Sequence, residues 1–156
     1  MASGPYIAVV GPGRATETDT AQAEAVGAGL AGAGAVVVCG GLGGVMEAAC
    51  RGAARAGGTT VGLLPGSDRG AANEWVEIAV PTGLGEARNA LVVRAADAVV
   101  AIAGEYGTLS EIALALKAGK PVVGLGTWEL GRDPDPIARA ADPHEAVALA
   151  LAAAVR

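Results

Sequence analysis

Three groups of residues in this chain have the types and spacing to do chemistry. Arg88 and Asn89 stand side by side in "GEARNALVVRAAD", a charged and an amide residue ahead of an apolar helix body. A guanidinium there binds phosphate or carboxylate through two parallel bonds, and an amide donates and accepts at a heterocycle edge. As the wet end of a helix, the same pair also reads as surface. Glu111 closes "GEYGTLSE", which follows the apolar run "AVVAIA". Beside a phosphorylated sugar, a carboxylate at that point contacts ribose or activates water. The same letters also spell a capping box, with Thr108 bonding forward and Glu111 reaching back.

The third group is the glycines. Gly11 and Gly13 lie in "GPGRATE", Gly40, Gly41, Gly43 and Gly44 in "GGLGGVME", and Gly104 and Gly107 flank Tyr106 ahead of Thr108 in "GEYGT". Glycine lets backbone N–H groups approach phosphate oxygens, and a helix N-terminus adds about half a positive charge. One such turn is what any strand–helix junction needs. Three of them at strand carboxyl ends favour an anion cradle.

These residues must be positioned by the elements around them. Short, continuously apolar runs begin at Tyr6, Ala35, Thr59, Trp75, Ala98 and Pro121. Continuous rather than alternating apolar runs indicate strands covered on both faces. Between them lie Ala-rich segments predicted as helices over Glu17–Ala31, Val45–Ala56, Glu86–Ala96 and Thr108–Ala118. Strand then helix, repeated, predicts an α/β fold with a mostly parallel central sheet flanked by helices. With no linker or repeat, residues 1–156 read as a single domain. Ligands of such sheets bind beyond the strand carboxyl ends, where all three glycine turns fall.

A last helix is predicted over Pro143–Val155, with Asp142 as N-cap, Pro143 in the first helical position and Glu145 completing a capping box. His144, the sole histidine, is thereby an exposed first-turn residue. Cys39 and Cys50 are too few for a disulfide framework and lack metal-ligand spacing, so they read as small buried groups and no metal is expected. The net charge of −5 argues against a nucleic-acid partner. The uncharged stretch Ala25–Met46 is interrupted by eight glycines, which argues against a membrane span. "MASGPY" shows no leader pattern, so a cytoplasmic location is expected.

Ordinary dinucleotide binding is not expected. Thr16 stands where the third glycine of that fingerprint would be, and no acidic residue ends the second strand to take ribose hydroxyls. The lysine-bearing phosphate loop of nucleotide triphosphatases is absent as well.

"GGLGGVMEAACRGAARAGGTTVGLLPG" followed by "GEARNALVVRAADAVVAIAGEYGTLSEIALALKAGKPVVGL" resembles the LOG-like (SLOG) superfamily, and within it the molybdenum cofactor carrier protein group, from about Tyr6 to Leu125. The resemblance implies a Rossmann-like three-layer fold, a bound molybdenum cofactor (molybdopterin) or related phosphorylated pterin or nucleotide, and a homodimer or homotetramer. The related cytokinin-activating enzymes hydrolyse the N-glycosidic bond of nucleoside 5'-monophosphates with an arginine and a glutamate, whose positions Arg88 and Glu111 take. Asn89 replaces their lysine, as in the carrier-like branch. Phosphoribohydrolase activity is therefore the alternative.

Glu105 stands where the family commonly has glycine. There it would repel phosphate if turned inward and would resist positive φ. The family's old lysine decarboxylase label finds no support. Lys117 and Lys120 read as charges at a helix C-terminus, and pyridoxal phosphate is not expected. Trp75 and Trp128 are candidates for ligand stacking, an interface or core packing.

Overall fold

The computed structural model describes residues 4–155, so the "MASGPY" reading falls partly outside the described residues. In chain order the elements are β1 (Tyr6–Val10), α1 (Glu17–Gly32), β2 (Val36–Cys39), α2 (Val45–Arg55), β3 (Thr60–Leu64), β4 (Ile78–Pro81), α3 (Arg88–Arg94), β5 (Ala98–Ile102), α4 (Tyr106–Lys117), β6 (Val122–Leu125), β7 (Ile137–Arg139) and α5 (Pro143–Ala154). The seven strands form one sheet in the order β4-β3-β2-β1-β5-β6-β7, and every pairing is parallel. The chain builds outward from β1 to β4, then returns to lay β5 against the other side of β1. That reversal leaves a crevice at the carboxyl ends of β1 and β5.

Successive residues of each strand serve opposite layers. Ile7, Val9, Val100 and Ile102 pack with α1, α2 and α5, whereas Ala8, Val10, Val99 and Ala101 pack with α3 and α4. Both layers are apolar, which is why these strands lack alternation in the sequence. Ile112 and Ala115 of the run "EIALALKA" face the sheet. Among the described residues no helix is long and apolar enough to cross a membrane.

Several boundaries differ from the sequence reading. The run from Trp75 pairs only from Ile78, because the Thr60 hydroxyl donates to the Trp75 carbonyl at 2.7 Å and accepts from the Glu77 amide at 2.8 Å in place of ladder bonds. α3 starts at Arg88, preceded by a 3₁₀ turn over Gly85–Ala87. β7 went unpredicted, being three residues long behind a Pro-rich stretch. At α5, Asp142 accepts from the Glu145 amide at 2.8 Å, but Glu145 reaches back to the Ala141 amide rather than to the cap's own. Cys39 and Cys50 are buried with their Sγ atoms 3.4 Å apart.

Glycine brings α1 and α2 into close contact. A Cβ on Gly52 would strike the Glu24 carbonyl, and one on Gly27 the Ala49 carbonyl. On an exposed helix Gly→Ala adds about 1 kcal/mol of stability. At Gly52 the clash should outweigh that propensity, and Gly52→Ala is expected to cost about 1–3 kcal/mol in urea unfolding. Unchanged or higher stability would contradict this account of the helix pair.

Candidate functional site

Arg88 opens α3 and turns its side chain under the β2–α2 turn, leaving it 8% exposed. The space exists because Gly40 has no side chain: a Cβ there would lie 2.6 Å from Arg88 Nη2 and 2.8 Å from Met46 Sδ. Arg88 Nη2 donates to the Gly40 carbonyl at 3.4 Å, and Nη1 donates to Asn89 Oδ1. Asn89 Nδ2 donates to Ser110 Oγ at 3.0 Å, and Ser110 Oγ donates in turn to the Gly107 carbonyl at 2.7 Å. This chain ties α3 to the first turn of α4. Arg88 Nε is buried without a partner.

The capping-box reading of "TLSE" is corrected. α4 begins at Tyr106 with Glu105 as N-cap and no side-chain cap bond, so Thr108 already lies within the first turn. Its hydroxyl is buried without a hydrogen-bond partner. Glu111, a turn further on, reaches no cap amide and is 7% exposed. Burial raises its carboxyl to about 7, and the nearby Arg88 charge offsets only part of that rise.

The three glycine turns do different jobs. In the first, Thr16 caps α1: its hydroxyl accepts from the Asp19 amide at 3.1 Å, and Asp19 accepts from the Thr16 amide at 3.3 Å. In the second, Gly44 (φ 64°) N-caps α2, while the Val45 amide donates to the Pro12 carbonyl at 3.0 Å. The first two turns therefore lock to each other; the start of α2, like that of α4, carries no side-chain cap, and Gly11, Gly13 and Met46 line the smaller cavity together with Glu105 and Thr108. Asn73 ties down the second turn by donating to the Leu42 carbonyl at 2.9 Å. In the third turn the positive φ falls on Ala103 (52°) rather than on Glu105, whose φ of −116° is extended and suits any residue.

Trp128, from the segment after β6, clamps the third turn. Its Nε1 donates to the Glu105 carbonyl at 3.1 Å, and its ring stacks on exposed Tyr106 with centroids 6.0 Å apart. Arg139 of β7 holds this segment by donating to the Trp128 carbonyl at 2.8 Å. Trp75 lies elsewhere, under the Arg55 guanidinium.

Two cavities share Arg88, Asn89 and Gly107 as a common wall. The larger, about 690 Å³, has apolar sides from Leu42, Pro65 and Leu114, with Tyr106 and Ser110 on the α4 side. The smaller, about 250 Å³, is bounded by Gly11, Gly13 and Met46 on one side and by Glu105, Thr108 and Glu111 on the other. Gly40, Gly41, Gly43 and Gly44 line neither cavity but support the wall from behind, and Gly104 borders a separate small hollow under Trp128. Ser110, Leu42, Pro65 and Leu114 went unread in the sequence. Only Ser110, three residues after Gly107 on the same helix face, carried a signal that could have found it.

The profile of the SLOG cluster4 family matches residues 4–153. The chain belongs to this family. A protein of Archaeoglobus fulgidus described as uncharacterised is 44% identical over 119 residues, 76% of this chain and 78% of that one. The structure of the molybdenum cofactor binding protein from the phototrophic bacterium Rippkaea orientalis superposes with a TM-score of 0.88 at 39% identity, covering 94% of each chain. The molybdenum cofactor carrier protein of Chlamydomonas reinhardtii gives 0.90 at 37% identity, covering 98% of this chain and 99% of that one. These likenesses agree with the parallel α/β architecture and with the superfamily resemblance.

Burial of Glu111 makes stability depend on pH with a defined sign. Between about pH 4.5 and 7 the unfolded chain releases this proton while the folded chain keeps it. Stability therefore falls across that window, by up to about 3 kcal/mol. Glu111→Gln is expected to flatten the urea-unfolding profile over this range and to be the more stable protein at pH 8. A variant curve parallel to the wild type would show that Glu111 ionises normally.

Proposed function

We propose that this chain is a cytoplasmic binding and carrier protein for a phosphorylated heterocycle, the molybdenum cofactor or a related pterin or nucleotide. The observation that carries the reading is a donor set with nothing to bind. Arg88 Nε and the Thr108 hydroxyl are buried without partners beside an uncapped helix start, where the two cavities meet. Buried polar groups cost stability unless satisfied, and a phosphate supplies the acceptors that both lack.

The residues present suit such a cargo. Arg88, Thr108 and the first amides of α4 would hold the anionic end. Leu42, Pro65, Leu114 and Tyr106 would cover the ring and keep water from it. A cavity of about 690 Å³ lies within the range of about 300–1,000 Å³ usual for small-molecule sites. A neutral Glu111 removes a repulsion that an ionised one would present to the phosphate. That the Rippkaea protein binds the molybdenum cofactor and the Chlamydomonas protein carries it supports the same ligand class. The self-capped start of α1 supports leaving dinucleotides aside. Self-association into a homodimer or homotetramer belongs to this reading, with Leu84 and Leu91 exposed nearby. Sedimentation velocity would measure it.

The experiment is mass spectrometry of native protein for a bound pterin, followed by titration of the emptied protein with that pterin. Arg88→Ala is expected to weaken binding at least tenfold. Thr108→Val removes an unsatisfied hydroxyl at nearly constant volume, so it should stabilise the free protein by about 1 kcal/mol while weakening ligand binding. Loss of stability together with unchanged affinity would refute the role given to Thr108. Incubation with AMP tests the alternative, and no adenine is expected. Adenine release that vanishes in Glu111→Ala would establish a phosphoribohydrolase instead.

A further inference from the structure

The larger cavity is lined by a charged residue that phosphate binding does not use. Glu86 lies in the 3₁₀ turn Gly85–Ala87 and lines this cavity with Arg88 and Asn89. Among the described residues its carboxylate makes no ion pair, since the salt bridges join Glu24 to Arg51 and Arg55, and Asp135 to Arg139. The neighbouring polar groups are already engaged: Asn89 and Ser110 bond to each other and onward to Gly107. The cavity thus offers a free acceptor in Glu86, a donor in Arg88, and apolar walls from Leu42, Pro65 and Leu114.

That combination selects among planar rings. A carboxylate accepts only, and it accepts best from two parallel N–H groups. A purely oxo-substituted or hydrocarbon ring supplies no such pair. An aminopyrimidinone supplies it from its exocyclic amine and adjacent ring N–H, the pattern shared by pterins and guanine. Resting on the carrier reading above, we propose that Glu86 is the specificity-determining residue that recognises the aminopyrimidinone edge of the bound heterocycle. Its negative charge also repels phosphate from this part of the cavity, which orients the ligand with its anionic end toward Thr108 and the start of α4.

GMP and IMP differ only in the exocyclic amine, so calorimetric titration of the full chain with each isolates the contact. The wild type is expected to prefer GMP by about tenfold, the value of one hydrogen bond to a charged group at an open site. Glu86→Gln should bring that ratio close to one. Because Glu86 is exposed, the variant should fold as the wild type does. Equal wild-type affinities, or a preference that survives Glu86→Gln, would overturn the assignment of Glu86 and leave the carrier reading standing. Binding of neither nucleotide nor of neopterin monophosphate would overturn both.

Discussion

A buried guanidinium without a full counter-charge is the constraint around which this site is organised. Arg88 is held by a carbonyl and a side-chain amide, and the Glu111 carboxyl on which its charge acts is itself pushed toward neutrality by burial. Taking a cation out of water costs several kcal/mol unless an anion accompanies it. The free protein therefore carries a buried charge that the proposed anionic ligand would offset. The missing side chain at Gly40 is what makes the arrangement possible, since any Cβ there would occupy the space of the guanidinium.

The glycine turns acquire separate meanings once the donors are traced. Two of them interlock through Pro12 and Val45 and hold the start of α2 in place. The third leads into a helix start without a side-chain cap, bordered by a cavity with unpartnered donors, and the start of α2 meets the same cavity through Met46. Rigid turns on one side and an open helix end on the other give a ligand a fixed wall and a polarised one. The Trp128 clamp steadies the open end, its Nε1 donating to the Glu105 carbonyl at 3.1 Å where α4 begins without a side-chain cap.

Glu111 illustrates how one residue type changes meaning with its surroundings. An ionised carboxylate at this position would stabilise positive charge developing on a sugar, as the hydrolase alternative requires. Raised to about 7, it is about half protonated at neutral pH and tolerates an adjacent anion. Binding and protonation are thereby coupled in the same direction.

The sequence by itself determined the layers of this protein. Continuous apolar runs placed five of the strands within a residue or two, Asp142 sits at the helix start where its chemistry belongs, and strand–helix alternation required parallel pairing. It also singled out Arg88, Asn89 and Glu111, because polar residues ahead of or within apolar helices stand out locally. What tertiary structure decided was the company each residue keeps. Thr108 lies inside α4 rather than at its cap because the helix already starts at Tyr106, and Glu111 is buried in a cavity wall that Arg88 joins from another helix. Local pattern registers spacing along the chain. Electrostatics and cavity walls depend on distances across it, and those exist only after the sheet has closed.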